Sequence, residues 1–257
     1  MKATDTRIQQ LLIWTGPLML VLFALGFMYL AEYLPPPSPQ LSPEDLVARL
    51  RANLTDFRIG MVITMFAFAM MVTWAMGIAG RVHATEERLP LLTYVQLGSV
   101  AIGSLIGQGA CWIFEATAYR LDDTDPHIIR ALHDLGWFTF LAPWPSFTIW
   151  CFAQAVAIFR DDRREPGLPR WTGYLAVWTG LLFIPACLIF FFKTGPMAWN
   201  GAIAFYIPVF IFFIWVVGLT VPALQSVRRD ARAAEIPTEQ VVPAGTASHG
   251  TPSGTRV

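Results

Sequence analysis

Between Glu115 and Trp150 the chain reads EATAYRLDDTDPHIIRALHDLGWFTFLAPWPSFTIW, which collects side chains able to bind metal or move protons. The metal pattern is poor. His127 and His133 are six residues apart, so they fall on different faces of a helix, and no His-Glu-x-x-His or Glu-x-x-His arrangement accompanies them. The loop acids Asp122, Asp123 and Asp125 add carboxylates without such a frame, so no metal and no cofactor is assigned. Glu115 with His133 is a chemically sensible acid/base pair, although no nucleophile motif stands near it. Structural duties compete for the same residues. Asp125 followed by Pro126 is a helix N-cap and first-turn proline, giving an expected short helix over 126–135. Arg130 and Asp134, four apart on it, are spaced as a surface ion pair.

The same stretch carries a second kind of chemistry, that of a broken helix. Pro143 and Pro145 remove two N–H donors and free the carbonyls four residues earlier, at Thr139 and Leu141. At membrane depth such groups need neighbouring helices or a water-filled cavity. In the preceding apolar segment Thr93, Ser104, Gln108, Cys111 and Glu115 fall within roughly 60° of one another at helical pitch, a stripe that should avoid lipid. Together these features suggest an outward-opening pocket between the third and fourth spans, with Ser104, Gln108, Glu115, His133, Trp137, Pro143, Trp144 and Pro145 as candidate ligand-binding residues. The competing reading is a kink filled by aromatic side chains, with the tryptophans as interface anchors.

The elements that must hold these residues are apolar helices. Of 257 residues 55% are hydrophobic and only 14% charged, and the mean hydropathy is +0.50, which excludes an ordinary soluble domain. Six runs are long enough to cross a bilayer, at about 11–34, 59–80, 91–114, 137–159, 171–192 and 199–224. The fold class is therefore all-α, a polytopic transmembrane helix bundle, with the lipid bilayer as its solvent. The first run is too long for a signal-peptide core and is ended by Pro35, Pro36, Pro37 and Pro39. Ser42, Pro43, Glu44 and Asp45 then open an amphipathic helix at about 43–54, placed either on the membrane surface or on the protein's own outer loops. Gly103 and Gly107 have the GxxxG spacing of a close helix contact and offer a face for a homo-oligomer or a membrane-complex partner. Residues 1–229 form the membrane domain, and 230–257 read as a disordered tail.

Charge sets the expected orientation. Lys2, Arg7, Arg81, Arg88, Arg160, Arg163, Arg164, Arg170, Arg228, Arg229, Arg232 and Arg256 fall on one side. Arg49, Arg51, Arg58, Arg120, Arg130 and Lys193 fall on the other, which places both termini in the cytoplasm and the chain in a plasma (inner) membrane. The 18 basic and 18 acidic residues form no long basic run, which argues against a nucleic-acid partner. Cys111, Cys151 and Cys187 lie in apolar runs and read as buried thiols.

With PPPSP, RIGM, LHDLGW, PRWTGYL and FFKTGPMAWNG all present, the chain resembles a family of uncharacterised bacterial six-span membrane proteins over nearly its whole length. The resemblance implies the topology and no catalytic residue. In that pattern the position of His133 is commonly Asn.

Three functions fit the sequence. The first is a membrane protein that binds or transports a small apolar or amphipathic ligand through the outer pocket. The second is a membrane-embedded enzyme acting on a lipid, with Glu115 and His133 as acid/base. The third is a non-catalytic accessory subunit of a membrane complex.

Overall fold

The structure is a computed structural model, and it describes residues 3–83, 86 and 89–235. Six of its helical segments are long and apolar enough to cross a membrane: Asp5–Leu30, Leu54–Val82, Leu91–Tyr119, Pro126–Phe159, Arg170–Phe191 and Ala202–Ala234. No strand occurs among the described residues. Helix α1 (Ala3–Phe23) continues in wide π-type turns to Leu30, and α2 (Pro43–Ala52) follows the proline-rich loop. Then come α3 (Leu54–Val82), α4 (Leu91–Tyr119), α5 (Pro126–Leu141), α6 (Trp144–Phe159), α7 (Arg170–Phe183) and α8 (Ile207–Glu235).

Each span packs against its neighbours in sequence, and the sixth closes on the first, so the bundle is a ring of antiparallel helices. Short connections force this arrangement from span two to span six. Spans two, four and six also send one tryptophan each into the middle. Trp74, Trp150 and Trp215 meet edge-to-face with centroids 4.8–5.8 Å apart, and all three are buried. Their indole groups are tied across helices, Trp74 Nε1 donating to Thr220 Oγ1 at 2.9 Å and Trp215 Nε1 to Gln154 Oε1 at 3.1 Å.

Spans one and two approach closely where Gly26 faces Gly60, since a side chain on either would meet the other's carbonyl oxygen. Gly195 turns the chain between spans five and six at φ 79°, a conformation that suits glycine.

Several boundaries differ from the apolar runs. The short helix expected at 126–135 and the start of the fourth span are one continuous helix, α5, and the break falls after Leu141. The fifth span loosens into 3-10 turns over Ile184–Phe191, where Pro185 denies the α-ladder a donor. Helix α8 persists through Glu235, past the start expected for a tail at 230. The remainder of that segment, 236–257, lies outside the described residues, as do Lys2, Arg88 and Arg256 of the charge count.

Of the two settings open to α2, the structure has the protein-packed one. Leu46, Val47 and Leu50 are buried against the bundle, mainly against α5 and α3. The cap is as the sequence suggests, with Ser42 Oγ accepting from Asp45 N at 3.1 Å.

At the opposite end, which carries the C-terminal part of α8, polar groups stitch three elements together. Arg81 of α3 pairs with Asp230 of α8 at 2.5 Å, and Arg229 reaches Glu165 at 3.0 Å. Asp161 accepts from Arg163 at 2.7 Å and from Gly167 N at 2.8 Å, while Arg163 also donates to the Arg81 carbonyl. Burial alone would raise the Asp161 carboxyl, but the bonds from Arg163 and Gly167 and the Arg163 charge outweigh it and hold it below its ordinary value.

Candidate functional site

The residues singled out by sequence lie along the inward side of α5 and around its end. Asp125 Oδ1 caps the helix by accepting from His127 N at 2.7 Å. The buried stripe is then Ile129, His133, Gly136, Trp137, Phe140 and Leu141, at helical spacing. Ile128 and Leu135 face outward, as does His127. Gly136 is required at its position because the Phe114 ring occupies the space of a side chain. Arg130 and Asp134 make no ion pair, contrary to their spacing; each side chain of such a pair loses rotamer freedom for little gain in a polar setting.

His133 is 3% exposed and sits among aromatic rings. Tyr33, Phe114 and Trp137 lie with centroids 5.9, 5.6 and 6.4 Å from it. Tyr33 reaches this cluster because the chain reverses after α1. Glu32 takes φ 53° and Tyr33 N donates to the Phe27 carbonyl at 3.2 Å, which carries the phenol inward to 1% exposure. Burial raises its pKa well above 10, with Arg49 opposing, so the phenol keeps its proton.

Neither Tyr33 Oη nor His133 Nε2 has a hydrogen-bond partner among the described residues. An unpaired buried polar atom costs about 1–3 kcal/mol, so two in one place call for an explanation. Both residues line one cavity of about 10 Å³, whose other walls include Arg49, Asn53, Phe57 and Leu50. Arg49 donates to the Glu32 carbonyl at 2.6 Å and Asn53 to the Leu30 carbonyl at 2.8 Å, so these two are already partly engaged.

In the polar stripe of α4, Ser104 and Glu115 bond to helix α3. Ser104 Oγ donates to the Phe68 carbonyl at 2.6 Å, and Gln108 Nε2 folds back onto Ser104 Oγ at 3.3 Å. Glu115 pairs with Arg58 at 3.2 Å. Thr93 and Leu92 donate their N–H groups to Glu86, whose carboxylate caps the start of α4. Gly103 and Gly107 are also internal, for the rings of Phe147 and Phe68 stand where their side chains would be. The GxxxG face expected to meet a partner is thus filled by this chain's own aromatic residues. Glu115 and His133 share no hydrogen bond, the first being bound to Arg58 and the second enclosed by rings.

The helix break does border a cavity, in a different place from the expected one. The α5 helix ends as Ala142 N donates to the Phe138 and Thr139 carbonyls, so one of the two freed acceptors is satisfied locally. Pro143 and Trp144 then line a cavity of about 40 Å³ together with Phe23, Ala67, Met71 and Phe212. It lies among spans one, two, four and six, and its walls are apolar. Neither cavity is lined by Ser104, Gln108, Glu115 or Trp137. Pro145 is exposed, Trp137 is fully buried against Trp199 and Phe205, and Trp144 stacks on Phe183 at 4.6 Å.

Sequence reading missed Tyr33, Arg49 and Ala67. Tyr33 precedes a proline-rich loop without periodicity, Arg49 reads as part of the polar face of the amphipathic helix, and Ala67 is one small residue in an apolar run. Among the described residues no three His, Cys, Asp or Glu side chains group as a metal site, and the three cysteines are free. No family model, no curated protein and no solved structure matches this chain.

Proposed function

We propose that this integral membrane protein binds a small apolar or amphipathic molecule inside its bundle, against the break in the fourth span. The observation that carries the reading is the apolar cavity of about 40 Å³ at Pro143 and Trp144, where four spans meet. Close packing leaves few voids larger than a water in a protein interior, and apolar ones take up apolar guests. The volume suits a short alkyl segment, and Met19 and Met71 in the wall give it a lining that adapts to shape. Binding is a sounder assignment than catalysis, since Glu115 is committed to Arg58 and Ser104 to Phe68. The excess of Lys and Arg at the C-terminal end supports cytoplasmic termini in a bacterial inner membrane.

The test is photolabelling of the purified protein in nanodiscs with a diazirine-bearing alkane, mapped by mass spectrometry. Label is expected on Met71 or Phe212, and Ala67→Phe, which fills the cavity, is expected to remove it. Label confined to lipid-facing residues such as Phe66 and Phe210 in both forms sinks the reading.

A further inference from the structure

The cavity beside Tyr33 and His133 has a chemistry of its own. Its two deeply buried polar residues each present an atom with no partner among the described residues, and the remaining wall combines apolar Leu46, Leu50 and Phe57 with Arg49 and Asn53, which are held by the Glu32 and Leu30 carbonyls. The space, about 10 Å³, is that of one oxygen-sized group. The Tyr33 phenol is a donor that can also accept, and a neutral imidazole presents one donor and one acceptor nitrogen. A hydroxyl, which both donates and accepts, completes this pair when Nε2 of His133 is the acceptor nitrogen. A carboxylate is disfavoured, because it is larger than the space and the Arg49 guanidinium in the wall is already engaged by the Glu32 carbonyl.

The position adds a direction. His133, Trp137 and Phe140 succeed one another on the inward face of α5, and Phe140 also lines the apolar cavity at the helix break. The seven-residue step from His133 to Phe140 rises about 10 Å along the helix. Trp137 on this face and Phe27 packed beside it are rings that line neither cavity. Phe27 stacks on Phe140 at 4.5 Å and lies edge-on to Trp137 at 5.9 Å.

We propose that Tyr33 and His133 form a recognition site for the hydroxyl head of an alcohol-headed amphiphile, whose apolar chain runs inward along α5 toward the cavity at Pro143. The head site stands on the Tyr33–His133 geometry alone, and the placement of the chain rests on the apolar-ligand reading. Tyr33 Oη donates to the ligand oxygen, and that oxygen's hydrogen is received by His133 Nε2, the imidazole carrying its proton on Nδ1. Phe27 and Trp137 swing apart to admit the chain. No covalent step is involved.

The experiment compares retention of tritiated dodecan-1-ol and dodecane by the full chain in detergent, after gel filtration, for the native protein and four variants. The native chain is expected to retain the alcohol about tenfold over the hydrocarbon, the scale of one to two buried hydrogen bonds. Tyr33→Phe and His133→Leu are expected to bring the two probes within about twofold, and His133→Gln, which keeps a donor and an acceptor, to restore most of the preference. Ala67→Phe should lower both probes together. Each variant is first shown to be monodisperse with a native-like melting midpoint, and Tyr33→Phe, which removes one atom, decides if His133→Leu fails to fold. Equal retention of both probes by the native chain, with Ala67→Phe still lowering both, overturns the hydroxyl site and leaves the inner cavity reading intact. Retention indifferent to Ala67→Phe overturns the inner-cavity reading, while a surviving Tyr33→Phe effect upholds the head site. A high-resolution map at saturating dodecan-1-ol showing only a single water between Tyr33 and His133 also overturns the proposal.

Discussion

The ring of Phe147 in the fourth span fills the place of a side chain at Gly103 in the third. The glycine is therefore a seat for an aromatic residue of the same chain. Gly103→Leu should lower the stability of the monomer, by about 1–3 kcal/mol as for other overpacked cores, and leave its oligomeric state unchanged. Melting in detergent together with gel filtration of a fluorescent fusion reads both quantities. A variant that melts like the native protein but loses a dimer would show that Gly103 faces a partner.

Acid should weaken the C-terminal end of the bundle through Asp161. Its carboxyl titrates below the ordinary value in the folded chain, so its stabilising contribution is complete above the unfolded value, about 3.9. That contribution is lost as pH falls through the folded value. The native midpoint is expected to drop between about pH 5 and pH 2 by more than that of Asp161→Asn, with the two curves converging at the acid end. Parallel curves across the whole range would mean that Asp161 contributes nothing to stability.

At the centre, packing should outweigh hydrogen bonding. Thr220→Val removes the acceptor of Trp74, and interhelical hydrogen bonds in membranes average about 0.6 kcal/mol. Trp74→Ala empties a fully buried site against Trp150 and Trp215, where a loss of about 3–5 kcal/mol is usual. The alanine variant should thus be far the less stable of the two by denaturant or thermal unfolding. Comparable losses would show that the hydrogen bond, and not the tryptophan cluster, holds spans two and six together.

The spans themselves were legible because hydropathy over about 20 residues is a strong signal, and every one of the six appears near its expected place. Periodicity also identified Ser104 and Gln108 as turned away from lipid. It did not say toward what, because a polar stripe satisfies the same rule against a neighbour's carbonyl as against a cavity. That ambiguity put the expected pocket beside α4, whereas Ser104 is spent on Phe68 and the space at the helix break lies among other spans. Tyr33 was illegible for another reason. Its inward course depends on the backbone reversal at Glu32, and a run of PPPSP next to it gives no register from which to read a face.

The closing of the ring by the sixth span has a consequence for the making of the protein. Trp74 and Arg81 leave the ribosome early, yet Thr220, Trp215 and Asp230, which engage them, are among the last residues of the described chain. Until then the second span holds in the bilayer a tryptophan whose indole N–H lacks its acceptor and an arginine without its carboxylate. Its core cannot be completed step by step during insertion. Assembly waits on the last helix, and a chain cut short before it exposes that unfinished surface to whatever quality-control proteases patrol the membrane.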